Sequence, residues 1–221
     1  MSPALFALLA DATSQTLYMV GVSTLLGTLF GLPLGVLLAV TGRGELLPHP
    51  LFNRVAGAVV NATRSTPFII LVVAIIPFTR LIAGTSIGTS AAIVPLTVAA
   101  IPFIARLIEG AVREVDRGLI EAAEAMGATP LQIVRKVLLP EALPGIVLGL
   151  TLAVVSLIGY SAMVGAVGGG GLGDLGIRYG YQRFLPEVMA AVVIVLIVLV
   201  QLVQSAGDRL ARRVNKRTLK S

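Results

Sequence analysis

The sequence predicts an all-α membrane protein with five transmembrane helices. Three observations carry this. Of 221 residues, 56% are apolar and only 13% charged, against roughly 45–50% and about 25% in soluble domains, and mean hydropathy is +0.95. Long runs carry no charge, and a helix needs about 20 apolar residues to cross roughly 30 Å of hydrocarbon. Those runs lack period-2 alternation, so helices rather than a barrel must satisfy the backbone in lipid. The same figures exclude a disordered chain and almost any soluble enzyme, and the absence of Cys excludes a disulfide scaffold. The spans are placed at about 16–40, 55–78, 86–105, 142–163 and 187–206, within one domain covering 1–221.

Residues 1–15 hold no Lys or Arg, so no cleavable signal is expected and the first span reads as permanent. That span carries Gly27, Gly31 and Gly35 at four-residue spacing. Small residues on one face let two helices approach closely, within the chain or at a subunit contact; ordinary small-residue usage in membrane helices is the plainer reading. Pro33 suggests a bend. In the following loop, His49 stands alone between Pro48 and Pro50, so neither a metal site nor a cofactor is expected.

Span two encloses one charge, Arg64, followed by Ser65, Thr66 and Pro67. An intramembrane Arg pairs or faces a wet cavity. The favoured reading is milder: the span begins later and Arg64 sits at headgroup level. A structural or gating contact near a pathway is the alternative. The sequon at Asn61 is dismissed, because it lies in the span or its edge. Span three contains Pro95 and Pro102, each of which removes a donor and crowds the preceding turn.

The 106–140 segment is too long for a simple connection. Leu119, Ile120, Ala123 and Met126 are spaced for one apolar helix face, and Gly127 suits a left-handed stop. Thr129, Pro130 and Gln132 spell a capped helix start, and the second helix is expected to end at Pro140. The result is an amphipathic helix–turn–helix with a face to offer. A surface-lying hairpin is the bland reading, and a DNA-reading motif is improbable with both ends tied to spans.

Span four is expected to be interrupted near its end by Gly159, Tyr160, Ser161, Ala162 and Met163. Two readings stand for Tyr160, Ser161 and Met163: they line a path for a partly apolar solute, or they pack against neighbouring helices. The glycine run at 168–171, with Gly173 and Gly176, matches G-x-G-x-x-G but follows a span and not a strand. It reads as a re-entrant or turn segment needing backbone freedom.

Orientation follows from counting Lys and Arg by loop. The 41–54 loop holds Arg43 and Arg54, and the 106–140 loop holds Arg106, Arg113, Arg117, Arg135 and Lys136. The tail adds Arg209, Arg212, Arg213, Lys216, Arg217 and Lys220, and the other side has only Arg80, Arg178 and Arg183. Thirteen against three places the N-terminus outside and the C-terminus in the cytoplasm, and explains the net charge of +6 without nucleic acid. Membrane lipid is the surrounding solvent. No Asp or Glu is expected inside a span, with Glu109 and Glu141 at loop edges, and no nucleotide-binding motif exists. Ion coupling therefore has no carrier group. Energy for active transport must enter from another subunit, with the hairpin as docking surface and a homodimer as the economical way to enclose a path.

Glu121, Ala122, Ala123, then Gly127, then Leu139 and Pro140, resembles the EAA loop of ABC importer permeases. The stretches RSTPFIILVVAIIPFTRLIAGTSIG, AAIVPLTVAAIPFIARLIE, LIEAAEAMGATPLQIVRKVLLPEALPGI and GYSAMVGAVGGGGLG are similar to the permeases of methionine ABC importers, over about 15–213. The resemblance implies a type I ABC importer permease fold in a bacterial inner membrane. It also implies a homodimer, two ABC ATPase subunits and an external, lipid-anchored methionine-binding protein. Glu121, Ala122, Ala123 and Gly127 are then expected in the element that docks on the ATPase, with Leu139 and Pro140 ending it. Tyr160 and Met163, with Ser161 between them, are expected along the methionine path. A permease for another small solute, and a non-transporting scaffold or channel, are the other readings.

Overall fold

The computed structural model describes residues 3–215; Lys216, Arg217 and Lys220 of the basic tail lie outside them. Every regular element among the described residues is helical. Helix α1 (Pro3–Val40) is followed by α2 (Pro50–Ser65), α3 (Phe68–Ala74), α4 (Ile76–Ala83) and α5 (Thr89–Arg113). Helix α6 (Arg117–Ala125) and α7 (Pro130–Ile133) form the hairpin, and a π turn (Val134–Leu138) joins α7 to α8 (Leu139–Gly165). Helix α9 (Gly171–Leu175) and a second π turn (Gly176–Tyr181) precede α10 (Pro186–Val214).

Lipid tails offer no hydrophobic drive between helices, so close van der Waals fit must hold them together. The α1 glycines supply it. A Cβ on Gly27 would stand 2.7 Å from Ala100 Cβ, one on Gly31 2.8 Å from the Ile101 carbonyl, and one on Gly35 2.5 Å from the Ala105 carbonyl. This face packs on α5 of the same chain, with the two helices running parallel. Gly145 meets Ala111 and Gly149 meets Leu107, so α8 runs antiparallel to α5. Met19, Leu96, Ile104, Ile108 and Leu157 are fully buried between them.

The ends of these helices sort the charges. Asn53 Nδ2 donates to the Leu38 carbonyl (2.7 Å), Arg106 Nη2 to that of Gly57 (3.0 Å) and Arg113 Nη2 to that of Leu38 (3.5 Å). Val214 and Asn215 share a cavity with Pro140 and Glu114. One end of the bundle therefore gathers the end of α1, the start of α2, the end of α5, the hairpin and the end of α10. The described members of the basic set of thirteen lie there, and Arg80, Arg178 and Arg183 lie toward the other end.

Several expectations need correction. Helix α1 starts thirteen residues before 16, because its first turns have a partner: Leu9 and Ala12 pack with Leu172, Leu175, Val188 and Val192. The span expected at 55–78 is three helices, with a 102° bend between α2 and α3. Pro67 has no N–H to continue α2 and forces Thr66 into an extended conformation (ψ 125°). Helices α5 and α10 outrun their expected ends at 105 and 206. Pro140 does not end a helix, and 130–165 runs on as one. The π turn explains this. The Leu139 N–H reaches back five residues to the Val134 carbonyl, and the wider turn makes room for the proline ring. Span four is not interrupted at 159–163 either, since α8 continues to Gly165.

The glycine run turns the chain back on the bundle. Gly168, Gly170 and Gly171 have φ of 86°, 78° and 75°, backbone that other residues avoid. The first amides of α9 are satisfied from α1: Gly171 N–H donates to Gln15 Oε1 and Leu172 N–H to Thr16 Oγ1, both at 2.9 Å. Gly173 and Gly165 let α9 lie directly on the backbone of α8.

Candidate functional site

Two places in the fold hold the candidate functional residues. The first is the hairpin at the basic end. Asp116 caps α6, its side chain accepting from Gly118 N–H at 2.8 Å. Gly127 ends it at φ 78°, with its N–H on the Glu124 carbonyl (2.8 Å) and Ala128 N–H on that of Ala123 (3.0 Å). A Cβ on Gly127 would meet nothing, so the demand for glycine there is one of dihedral angle and not of space. Thr129 and Gln132 form a complete capping box at the start of α7.

The face expected from Leu119, Ile120, Ala123 and Met126 divides in two. Ala123 is buried and Ile120 half-buried against Ile133 and Leu138 beneath the hairpin. Leu119, Ala122 and Met126, spaced by three and four, point outward; Met126 is 82% exposed and Leu131 beyond it 64%. Glu121 is exposed on the same helix, Pro140 is exposed and Leu139 half-buried on the continuing helix. The structure thus brings Glu121, Ala122, Ala123 and Gly127 onto one knuckle, and leaves Leu139 and Pro140 at its root.

The knuckle is joined to the bundle next to Glu109, which the sequence reading put at a loop edge. Glu109 is not at a loop edge. It lies in the last turns of α5, 5% exposed, between Arg106 (2.5 Å) and Arg113 (2.8 Å). Those arginines also reach the carbonyls of α2 and α1 noted above, so the triad ties the ends of α1 and α5 to the middle of α2 just before α6. A carboxylate with two cationic partners is structurally neutralised, and it is a poor ion carrier.

The second place is a cavity of about 120 Å3 at the break between α2 and α3. Tyr160 lines it and stacks on Phe68 (centroids 4.4 Å apart, planes at 11°). Arg64 lines it too, with its guanidinium 5.9 Å from the Phe103 ring centroid. Thr63, Thr66, Leu71 and Ala99 complete the wall. Helix α2 begins at Pro50, and Arg64 stands in its last turn, one residue before its end. Phe103 stands about 15 Å along α5 from Arg113, so the Arg64 guanidinium lies beside the middle of that helix.

The three expected path residues do not converge. Ser161 is 2% exposed and its hydroxyl donates to the Ile158 carbonyl of its own helix (2.7 Å). Met163 follows Tyr160 by three residues and is 48% exposed. Phe68 and Phe103 were not singled out from sequence; the Thr66–Pro67 break beside a charge was the available signal. His49 has a local task, Nδ1 accepting from Phe52 N–H at 3.3 Å at the start of α2.

Known proteins resemble this chain closely. Residues 31–218 match the model of the family described as binding-protein-dependent transport system inner membrane component. A probable D-methionine transport system permease of Vibrio cholerae is 60% identical over 210 residues, covering 95% of this chain and 93% of its own. Its counterpart in Pasteurella multocida is 50% identical, covering 98% and 100%. A solved inward-facing conformation of the MetNI methionine ABC transporter superposes with a TM-score of 0.96 at 55% identity, covering 98% of this chain and 100% of that one. An amino acid ABC transporter shares the fold at 21% identity and a TM-score of 0.78.

Proposed function

The chain belongs to the family of binding-protein-dependent transport system inner membrane components, and from that premise we infer that it is the permease subunit of an ABC importer of methionine. It is a multi-pass inner-membrane protein, not itself catalytic, that works in a complex with an ATPase and depends on a binding protein. The observation that carries the reading is the pairing of a full-length likeness to methionine permeases with a chain that has a gate-like cavity and an exposed knuckle.

The finer arrangement is the same proposal taken further. Two copies of the chain enclose the path, two ATPase subunits sit beneath them, and a lipid-anchored binding protein delivers D- or L-methionine from outside. The knuckle of Glu121, Ala122, Ala123 and Gly127 docks in the ATPase, with Leu139 and Pro140 at its root. Its outward Leu119, Met126 and Leu131 supply the apolar contact, and the triad at Glu109 passes the displacement to α1, α2 and α5. ATP binding then favours one access state and hydrolysis restores the other, by differential affinity for the two states. Tyr160, Ser161 and Met163 mark the segment of α8 beside the path. The N-terminus faces outside and the C-terminus the cytoplasm, which agrees with the gathering of basic residues at one end.

Reconstitution in vesicles with the ATPase and binding protein tests this. ATP-driven uptake of labelled methionine is expected, suppressed by excess unlabelled methionine. Uptake indifferent to unlabelled methionine would assign the permease to another solute.

A further inference from the structure

We propose that Arg64 reads the α-carboxylate of the transported amino acid as it passes the break between α2 and α3. The inference rests on the amino-acid permease reading above. Arg64 is the lone charge in its stretch of span, its guanidinium beside the middle of α5. A guanidinium there is costly unless it finds an anion or water. Among the described residues no carboxylate lies within ion-pair distance of it: Glu45, Glu109 and Asp174 serve Arg117, Arg106 with Arg113, and Arg178. Its one close partner is the face of Phe103, which orients the guanidinium and leaves its donors open. The planar fork fits a carboxylate with two parallel hydrogen bonds.

The surroundings complete a site for a zwitterion with an apolar side chain. Pro67 has no N–H, and the 102° bend carries the next amides away from the end of α2. As a result the carbonyls of Arg64, Ser65 and Thr66 accept no backbone hydrogen bond among the described residues. The C-terminal end of a helix carries partial negative charge, so these oxygens suit the ammonium group. Phe68, Phe103 and Tyr160 line the cavity with aromatic rings, whose edges suit a thioether. Carboxylate, ammonium and side chain thus each meet a matching surface within one cavity. The site is a waypoint and not a trap, because Arg64 stands at the surface of the single protomer and is not enclosed within it.

The test uses the full complex of permease, ATPase and binding protein in vesicles, comparing wild type with Arg64→Gln and Arg64→Lys. Methionine uptake and ATP hydrolysis are measured in the same preparations. Uptake per ATP hydrolysed is expected to fall about tenfold in Arg64→Gln, the loss of one charge-assisted contact. Arg64→Lys keeps the charge but loses the planar fork, so its uptake is expected to fall between those of wild type and Arg64→Gln. ATP hydrolysis and subunit assembly stay unchanged in both. Wild-type uptake in Arg64→Gln overturns the proposal, as does a Lys variant as impaired as the Gln one. A loss of uptake that merely tracks lost assembly or hydrolysis assigns Arg64 a structural role and overturns it too. Failure of the wild-type complex to take up methionine would instead strike the permease reading itself.

Discussion

Gly127 shows how one dihedral angle can set a candidate docking surface. Its φ of 78° costs any residue with a Cβ about 1–2 kcal/mol, although space for the side chain exists. A valine there is β-branched and worse still. Gly127→Val is therefore expected to misplace Met126 and the end of α6 while α1, α5, α8 and α10 still insert. Membrane abundance should stay near wild type and methionine uptake should fall at least tenfold. Normal uptake at normal abundance would show that the turn does not position the docking surface. Ser161 teaches the reverse lesson: a polar residue expected beside a path can still serve its own helix, since its hydroxyl is satisfied by Ile158.

At the scale of elements, packing follows residue size. Gly27, Gly31 and Gly35 bring α1 onto α5, and a large side chain at the middle position has nowhere to go. Gly31→Leu is expected to destabilise the permease by about 1–3 kcal/mol or more, read as a lower melting temperature in detergent; an unchanged value would mean that α1 can shift without cost. These elements were legible from sequence because spacing and composition decide them. The capping box at Thr129 and Gln132 and the left-handed Gly127 were legible for the same reason, being local. The misreadings were not local. Whether Pro67 breaks a helix while Pro95, Pro102 and Pro140 do not depends on what surrounds each ring. At Pro140 a π turn absorbs it; at Pro67 the chain bends by 102°. Glu109 looked like a loop-edge residue because its two neutralising arginines become partners only once α5 extends to Arg113. The site divides similarly. The knuckle is a contiguous motif and could be read, whereas the cavity joins Arg64, Phe68, Phe103 and Tyr160 from four separate helices.

For the whole molecule, direction is the organising fact. Helices α1, α5 and α10 run one way and α8 the other, which puts the hairpin, the α1–α2 loop and the chain's basic end together. The absence of Cys makes topology easy to probe. Met126→Cys should react with a membrane-impermeant maleimide only in inside-out vesicles, and Phe184→Cys, 84% exposed near the opposite end, only in intact cells stripped of the outer membrane. The opposite pattern would invert the assigned orientation.

On the proposed reading, assembly follows from the same geometry: the chain supplies a cavity for a solute and a surface for a push, and the energy comes from elsewhere. The most direct measurement is methionine accumulation in vesicles that hold the permease alone, the complete complex, or the complex with Met126→Glu, which places a charge on the apolar docking face. Accumulation is expected only from the complete wild-type complex, with the Met126→Glu permease inserted yet losing its ATPase on purification. Uphill accumulation by the permease alone, or full coupling through the Met126→Glu knuckle, would contradict the account.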